Sequence, residues 1–454
     1  EGKKSYILKD IFMFEKPPKW QKLITTSLIE KVSGSKEIQE ILSKARREYV
    51  YWDKFRHYPF PSNITPDEAW AFLKISRSSG EKTPIKSISG ENFTYSITKN
   101  LHQKLNFIDT HGAGLLKSFS EKPSNAQTSK YIISSLTEEA IASSQIEGAN
   151  TTHKVAKEMI LSQRKPRNKS EQMIVNNYLA MQKMEEWKDL DLTENILLDL
   201  QKILIDQTTD DPSIVGRFRE DEDEIVVHDP VTGEVAHVPP EQVVMRFELK
   251  RLIAYANTQE NDEDEFTHPV IKATILHFWF AYLHPFADGN GRSSRALFYW
   301  FLLKRNYWLI EYISVSRAIK QSRKSYDNAF LYSENDDNDM TYFLLYIAET
   351  FKKSILQFME HFEEKMKEAD ELKKTTSILG KFNVRQIGLL RYFITHGDEY
   401  TDVITHQNKH GISRPSAYND LSSLVKKGYL TETRKSKRLV YMPNIAKIKE
   451  VLAK

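Results

Sequence analysis

The densest group of reactive side chains lies in the stretch HPFADGNGRSSR, residues 284–295. It combines one imidazole, His284, with one carboxylate, Asp288, and two guanidinium groups, Arg292 and Arg295. The two glycines of DGNG accept backbone angles that other residues avoid, so a turn here can aim successive amide N–H groups at an anion. The two arginines are three residues apart and share one face of a helix. This set predicts a phosphate-binding site.

The chemistry that these residues favour is attack by a hydroxyl on a polyphosphate. Arg292 and Arg295 are suited to hold separate phosphates, and Asp288 offers the hard oxygen ligand that Mg²⁺ prefers. The intrinsic pKa of an imidazole allows His284 to take a proton from the attacking hydroxyl. The alternative is a helix–turn–helix whose histidine caps a helix and whose arginines form surface ion pairs. The ordered combination favours the site.

Two helices must position this stretch. The apolar segment ATILHFWFAYL predicts a helix that ends at His284, because Pro285 has no amide hydrogen and restricts the residue before it. Phe286 is expected to pack into the core and anchor the loop. The segment RSSRALFYWFLL predicts a second helix directly after the loop, and its positive N-terminal end then faces the same space.

HPFADGNGRSSR resembles the signature of the Fic family, HPFx(D/E)GNGRxxR, at every specified position. The resemblance implies a helical fold with a hairpin flap and transfer of AMP from ATP to a protein hydroxyl. It implies that His284 is the base and Asp288 the Mg²⁺ ligand. Family members that act as kinases carry lysine where this chain has Gly291. The resemblance assigns the phosphates to Gly289, Asn290, Gly291, Arg292 and Arg295.

A second motif upstream resembles the inhibitory motif of the same family, (S/T)xxxE(G/N). It is met by Ser143, Glu147 and Gly148, on a helix expected at residues 130–148. The resemblance implies that Glu147 pairs with Arg295, leaves ATP misplaced for attack and keeps the wild-type protein poorly active. The residues by themselves equally describe a helix that ends at a glycine. Removal of AMP, an activity of this family class, stays open.

The segment DEIVVHDPVTGEVAHVP predicts a hairpin at residues 224–238, because two β-rich flanks enclose a turn. The family resemblance makes this hairpin a flap that holds a target segment by strand addition. The flap histidines, His228 and His237, have no third metal ligand at a suitable spacing, so we expect them at the surface.

The base of the nucleotide is expected near SYDNAFLYSENDDND. Tyr326 aligns with a base-pocket tyrosine of the family, whereas Ser333 stands where the family has asparagine, and Asn335 is a nearby substitute. Nucleotides other than ATP therefore stay open.

The chain length of 454 residues predicts several domains. We expect a mainly α protein with an N-terminal helical region at 1–125, an all-helical Fic core with its hairpin flap at 126–370, and a winged-helix-like domain at 371–454. The stretches 76–92 and 118–129 have the Ser, Gly, Pro and Lys content that predicts loops. Thr65 followed by Glu68 predicts a capped helix start.

The C-terminal region carries 16 Lys and Arg against 7 Asp and Glu, a balance of +9 in a chain whose net charge is +3. Its segments VRQIGLLRYFITHG and SRPSAYNDLSSLVKKGYL predict two helices that flank EYTDVITHQNKHG, and TETRKSKRLVYM predicts a hairpin. This resembles a winged helix, with a recognition helix at 413–427 and a wing at 434–438. The recognition helix is expected to expose side chains that suit the phosphate backbone and groove of DNA, namely Arg414, Ser416, Tyr418 and Asn419. Winged helices also form protein or dimer contacts, so a homodimer stays open.

Composition favours a cytoplasmic protein with no membrane partner. The chain has no cysteine, which fits a reducing compartment. No apolar run approaches the roughly 20 residues of a membrane span, and the first residues lack a signal-peptide pattern. The leading prediction is a protein adenylyltransferase that uses ATP and Mg²⁺ and acts on a Ser, Thr or Tyr hydroxyl of a target protein or of itself, restrained by Glu147. The alternatives are a DNA-binding regulator with a nucleotide-sensing Fic module and a deadenylylase.

Overall fold

The computed structural model shows a mainly α-helical protein with small antiparallel hairpins, and it confirms the predicted fold class. Among the described helices, none has both the length and the apolar character needed to cross a bilayer. The structure describes residues 15–113, 125–229, 232–258, 266–379, 382–397, 399–435 and 438–452.

The described helices and strands are numbered in chain order. The helices are α1 (Thr26–Gly34), α2 (Lys36–Glu48), α3 (Trp52–Phe55), α4 (Pro66–Ile75), α5 (Lys99–Ile108), α6 (Asn125–Ile146), α7 (His153–Leu161), α8 (Lys169–Glu186), α9 (Glu194–Ile205), α10 (Gln242–Asn257), α11 (Pro269–Leu283), α12 (Asn290–Lys304), α13 (Val315–Gln321), α14 (Arg323–Asn335), α15 (Thr341–Leu379), α16 (Val384–Thr395), α17 (Val403–His410), α18 (Arg414–Lys426) and α19 (Ile445–Leu452). The strands are β1 (Glu81–Lys86), β2 (Asn92–Tyr95), β3 (Val227–His228), β4 (Val235–His237), β5 (Leu430–Lys435) and β6 (Arg438–Pro443).

The chain forms two compact units. The first unit comprises Glu1–Thr110, Lys183–Tyr307 and Ala318–Lys352. The second unit comprises His111–Gln182, Trp308–Arg317 and Lys353–Lys454. The predicted phosphate-binding stretch belongs to the first unit, and the predicted inhibitory motif belongs to the second.

The N-terminal part of the first unit contains both a confirmed prediction and a wrong one. The Thr65 side chain accepts from the Glu68 amide at 3.2 Å, and the Glu68 carboxylate accepts from the Thr65 amide at 2.8 Å, so the predicted cap is present. The loop predicted at 76–92 is wrong, because β1 pairs with β2 there. Thr83 and Ile85 alternate inward in β1, a short period that the Ser, Gly and Pro content of the stretch hid.

The core of the first unit is built on α11 and α12, which pack against each other. Trp279 and Phe280 on α11 and Trp300 on α12 are fully buried. Nearly every residue of both helices is buried, so the two helices are enclosed by other elements rather than lying on a surface. Phe286, on the loop between them, is buried and stacks on Phe218 with ring centroids 5.3 Å apart, as predicted for an anchor.

The C-terminal part of the second unit has its own apolar core, formed by α16, α18, β5, β6 and α19. Helix α18 and the β5–β6 hairpin match the predicted helix and hairpin. The segment that the two predicted helices flank contains a further helix, α17, which is capped by Asp402. Residues 125–129, predicted as loop, belong to α6, while 118–124 lie outside the described residues.

A buried ion pair links α4 to the segment that follows α14 in the first unit. Lys74 Nζ lies 2.8 Å from Asp336 Oδ1, and the two side chains are 5% and 1% exposed. The other Asp336 oxygen accepts from the Tyr342 hydroxyl at 2.8 Å. Burial opposes the charge on Lys74, but the carboxylates of Asp336 and Asp339 outweigh it and raise the pKa of Lys74. Lys74 is therefore charged at neutral pH, while burial raises the pKa of Asp336 and the charge of Lys74 opposes that rise.

We expect Lys74→Met to lower the free energy of unfolding by about 3–5 kcal/mol, because it leaves the Asp336 carboxylate buried without its cation. Thermal and urea unfolding measure this loss. The matched control is Lys36→Met, whose side chain is 91% exposed and is expected to change stability by less than about 0.5 kcal/mol. The double variant Lys74→Met with Asp336→Asn should recover part of the loss. Equal stability of the Lys74→Met and Lys36→Met proteins contradicts the prediction.

Candidate functional site

His284 lies at the C-terminal end of α11 in a left-handed backbone conformation, with φ 48° and ψ 57°. Pro285 follows it and prevents another helical turn. The ring Nδ1 lies 3.2 Å from the Ala281 carbonyl oxygen, which can only accept a hydrogen bond, so Nδ1 carries the hydrogen. In the neutral ring the lone pair is then on Nε2. His284 is partly exposed and can act as a base through that atom.

The loop after His284 is closed by its own side chains. The Asn290 carboxamide accepts from the Phe286 amide at 2.9 Å and donates to the Phe286 carbonyl at 2.7 Å. Gly289 has a φ of +96°, and a Cβ atom at this position would lie 3.3 Å from the Ile205 side chain. Gly291 is different, since it lies in the first turn of α12 with ordinary helical angles. Both glycines of DGNG were predicted to adopt backbone angles that other residues avoid, but only Gly289 has the left-handed conformation.

Helix α12 begins at Asn290, two residues earlier than predicted, and Gly289 is its N-cap. A glycine has no side chain that could accept a hydrogen bond from the first amide groups of the helix. These N–H groups and the positive end of the helix dipole suit a phosphate. The backbone supports the predicted anion cradle at this point.

The predicted phosphate ligands Arg292 and Arg295 are 2% and 4% exposed, so the alternative of surface ion pairs is wrong. Arg292 donates to the Leu204 carbonyl at 2.6 Å and to Asp288 Oδ1 at 3.1 Å. Its Nε is also buried and has no hydrogen-bond partner among the described residues. The Asp288 carboxylate is 47% exposed. A solvent-accessible carboxylate therefore lies beside a buried cation, which suits Mg²⁺ held jointly with phosphates.

Arg219 is a site residue that the sequence analysis missed. It precedes the flap, and its guanidinium donates to the Pro240 carbonyl, to the Leu283 carbonyl at 3.3 Å and to the His284 carbonyl at 2.8 Å. Its amide also donates to the Pro285 carbonyl at 2.9 Å. Burial lowers the pKa of Arg219. The signal in the sequence was its position in GRFRE, directly before the predicted hairpin.

The predicted hairpin is present, because β3 pairs antiparallel with β4. His228 is exposed as expected, but the surface prediction for His237 is wrong, since its side chain is only 10% exposed. His237 Nδ1 lies 2.9 Å from Glu334 Oε2, and its Nε2 lies 2.8 Å from the Tyr282 carbonyl oxygen. Both partners are distant in sequence, and only a tertiary fold brings them together.

The predicted base-pocket residues lie on α14. Tyr326 is 5% exposed, and its hydroxyl lies 2.8 Å from Nε2 of His277 on α11. Burial, reinforced by the charge of Arg295, lowers the pKa of His277 to about 3, so this ring is neutral. The Ser333 hydroxyl donates to the Ala329 carbonyl of its own helix, and the Asn335 Nδ2–H group donates to the Leu331 carbonyl in the same way. The Tyr326–His277 pair connects this helix to the helix that carries His284.

The inhibitory motif lies at the end of α6 in the second unit. Ser143 is buried, Glu147 is exposed, and Gly148 has a φ of +92°. The helix ends at Ile146, two residues before the end that the sequence predicts, and Gly148 adopts the conformation expected of a glycine after a helix. Glu147 is thus presented just beyond the last turn of α6.

Comparison with known proteins identifies a family for this site. The sequence model of the Fic/DOC family matches residues 191–302, which include α9, the flap, α11 and nearly all of α12. The protein adenylyltransferase Fic of Drosophila grimshawi is 30% identical over 119 residues, covering 26% of this chain and 22% of that protein. The Drosophila melanogaster protein of the same name is 28% identical over 166 residues, covering 37% of this chain and 29% of that protein. The chain therefore spans less than a third of the length of these relatives.

Two solved structures of Fic proteins align with this chain at low sequence identity. A Fic family protein from Desulfovibrio desulfuricans G20 is 19% identical, with a TM-score of 0.47, and the alignment covers 77% of this chain and 97% of that one. Fic-1 from C. elegans, residues 134–508, is 17% identical with a TM-score of 0.47, and the alignment covers 78% of this chain and 90% of that one.

We predict that Mg–ATP stabilises the protein against heat and that Gly289→Ala abolishes this stabilisation. A left-handed alanine costs about 1–2 kcal/mol, and its Cβ also presses on Ile205 beside the first turn of α12. The matched control is Gly233→Ala in the flap turn, where φ is +74° and nothing lies within 4 Å of the added Cβ. The control has a similar backbone cost and should keep its response to Mg–ATP. A thermal-shift titration compares the two, and an unchanged response of the Gly289→Ala protein contradicts the prediction.

Proposed function

The chain belongs to the Fic family through residues 191–302, and we propose that it is a protein adenylyltransferase, which transfers AMP from Mg–ATP to a Ser, Thr or Tyr hydroxyl of a target protein or of itself. One observation supports this proposal above the others. His284 at the end of α11 and the uncapped N-terminus of α12 are joined by a loop of five residues, and the buried Arg292 and Arg295 follow on the same helix.

Each residue of the site has a separate role in binding the phosphates. The amides at the start of α12 and the guanidinium of Arg292 bind phosphate oxygens, and Arg295, three residues further on, binds the next phosphate. Asp288 would hold Mg²⁺, which would supply neutralisation of phosphate charge when bound. A single accessible carboxylate fits this ion, because Mg²⁺ bound with a nucleotide commonly uses one or two carboxylates and takes its other ligands from phosphates and water.

The chemical step follows from the tautomer of His284. Nε2 removes the proton of the target hydroxyl as the oxygen attacks the α-phosphorus of ATP. The new phosphorus–oxygen bond forms as the bond to the bridging oxygen of the β-phosphate breaks, and pyrophosphate leaves. No covalent intermediate between AMP and His284 is required. Acceleration comes from the fixed position of the ring and from the neutralisation of phosphate charge.

Restraint by Glu147 is part of the proposal. Its support is the spacing from Ser143 to Gly148, the end of α6 at this point and the exposed position of the carboxylate. A carboxylate that binds Arg295 competes with the phosphate that needs the same guanidinium. Removing it frees an interaction of roughly 1.5–3 kcal/mol, which corresponds to a gain of about tenfold or more in transfer.

We expect Glu147→Gly to gain the mass of one or more AMP units after incubation with Mg–ATP, while the wild type gains little. Intact-protein mass spectrometry measures this gain. Glu147→Gly combined with His284→Ala should gain none, because the base is missing. The matched control is Glu158→Gly, an exposed glutamate replaced by glycine on the neighbouring helix α7, which should behave as the wild type. Absence of labelling in every variant that still binds ATP rejects transfer to self, and loss of AMP from prelabelled protein then measures the reverse activity.

The second candidate function is DNA binding by the C-terminal part of the second unit. Helix α18 exposes Arg414, Tyr418 and Asn419, and a cleft of about 500 Å³ lies along it, lined by Ser422, Lys426 and neighbouring side chains. The charge of +9 in residues 371–454 favours a phosphate backbone as the partner.

For this second function we expect salt-sensitive binding of a mixed-sequence DNA duplex, measured by fluorescence anisotropy at several salt concentrations. Arg414→Ala should weaken binding and reduce the slope of log affinity against log salt by about one, because one phosphate contact is lost. Lys449→Ala, which removes an exposed cation from α19, is the control and should leave the slope unchanged. An equal effect of the two substitutions indicates charge attraction without a recognition helix.

A further inference from the structure

Two side chains at the base of the flap occupy the end of the helix that presents His284. The last carbonyl groups of an α-helix have no partner within the helix, and cations are favoured there. On α11 the Tyr282 carbonyl accepts from His237, and the carbonyls of Leu283 and His284 accept from Arg219. Arg219 precedes the flap, while His237 belongs to its second strand. The flap is thus joined on both sides to the residues that orient the proposed base.

The partners of His237 determine its protonation state. The Glu334 carboxylate is 2.9 Å from Nδ1, and the Tyr282 carbonyl is 2.8 Å from Nε2. Ionised carboxylate and carbonyl oxygens only accept hydrogen bonds, so both ring nitrogens must donate. A flipped ring would place a carbon where each nitrogen now lies and would lose both contacts. A neutral ring satisfies one acceptor only, and the geometry therefore corresponds to an imidazolium.

The surroundings of the ring agree with that charge. Burial lowers the pKa of His237, but the Glu334 carboxylate outweighs burial, and the net effect raises the pKa. The positive charge of Arg219 opposes this and is the weaker influence. The Tyr282 ring, whose centroid lies 4.9 Å away, is neutral because burial raises its pKa to about 12. One carboxylate on α14 thus faces the imidazolium on the flap.

We propose that His237, held as an imidazolium between Glu334 and the Tyr282 carbonyl, is the positioning residue that fixes the flap beside His284 and thereby places the target hydroxyl. This inference rests on the proposed transfer function, since the target segment is what the flap would hold. Strand addition to a flap uses main-chain hydrogen bonds, so the position of the β4 backbone determines where the bound segment lies. Small displacements of a reacting group reduce rates strongly, by roughly 100-fold for 1 Å.

The direction of the pH dependence follows from the raised pKa. A histidine whose pKa is higher in the folded state gives its full stabilisation at pH values below its ordinary pKa of about 6.5. Its contribution is lost as the pH rises through the raised value. The contacts of His237 are therefore complete below about pH 6.5 and weaken as the pH rises through the raised value.

The first test requires no AMP transfer. NMR of the full chain with ¹⁵N-labelled histidine rings reports the protonation of each ring nitrogen, and we expect both nitrogens of His237 to carry hydrogen at pH 7. Hydrogen exchange of the β4 amides should be about tenfold faster in His237→Gln, because at least one charge-assisted hydrogen bond is lost. The matched control is His228→Gln, the same substitution at an exposed position in the other strand. It removes the contact of the His228 ring with the Gly233 carbonyl but leaves both contacts of His237 in place, so it should not change exchange in β4.

The second test compares self-labelling in the Glu147→Gly background. Addition of His237→Gln should slow labelling about tenfold at pH 7 and leave the KM for ATP within about twofold, because the flap places the acceptor rather than the nucleotide. The ratio of the two rates should approach one as the pH rises through the raised pKa. Glu334→Gln keeps an acceptor and removes the charge, so it should move that transition to lower pH.

Three results overturn the inference. One is a His237 ring with a single hydrogen at pH 7, which places the second proton on Glu334 instead. Another is equal β4 exchange in His237→Gln and His228→Gln, and the third is a change in the KM for ATP that accounts for the slower labelling. If the Glu147→Gly protein transfers no AMP, the proposed function fails, while ring protonation and exchange still decide whether His237 holds the flap.

Discussion

A helix that ends at a proline exposes carbonyl groups that must find donors, and the site of this protein is organised around one such end. Helix α11 stops at His284 because Pro285 cannot continue it, and His284 turns into the left-handed region. The Nδ1–H of His284 donates to the Ala281 carbonyl, and Arg219 and His237 supply donors to the carbonyls that follow. The same contacts that satisfy the helix end also orient the imidazole.

The rigidity of this end depends on the burial of two helices. Helices α11 and α12 are enclosed by other elements, and the loop between them is tied by Asn290 to Phe286 and by Phe286 to the core. Burial makes the charges on Arg292 and Arg295 expensive unless an anion or an acceptor is close. Arg292 uses the Leu204 carbonyl and Asp288, and its buried Nε has no hydrogen-bond partner among the described residues. The proposed polyphosphate would bring anionic oxygens to these two buried guanidinium groups.

The flap and the inhibitory motif relate to the site in different ways. The flap lies in the same compact unit as His284 and is joined to it by named hydrogen bonds, so its effect is a matter of local geometry. Glu147 belongs to the other unit, on the segment after α6. Restraint by Glu147 is therefore a proposal that stands on its motif and on the chemistry of a carboxylate competing for a guanidinium.

Local chemistry in the sequence was enough to predict the centre of the site. Pro285 ends a helix, Gly289 permits a left-handed turn, and three-residue spacing places two arginines on one face, because each effect acts within a few residues of the chain. The cap at Thr65 and the hairpin at the flap were predictable for the same reason. The short alternation in β1 was not, since the Ser, Gly and Pro content around it is typical of loops.

Only the tertiary structure decided the roles of Arg219, His237 and Glu334. His237 is hydrogen-bonded to Glu334, 97 residues away in the sequence, and to Tyr282, 45 residues away. Arg219 is hydrogen-bonded to His284, which is 65 residues away. A histidine in a hairpin carries no signal of its partners, because hydrogen bonds between distant residues depend on how helices pack and not on spacing along the chain. The sequence by itself predicted which groups in residues 284–295 are proposed to perform chemistry. The packing of α11, α14 and the flap determined which groups hold them in place, since burial and hydrogen bonding are set by the folded neighbours.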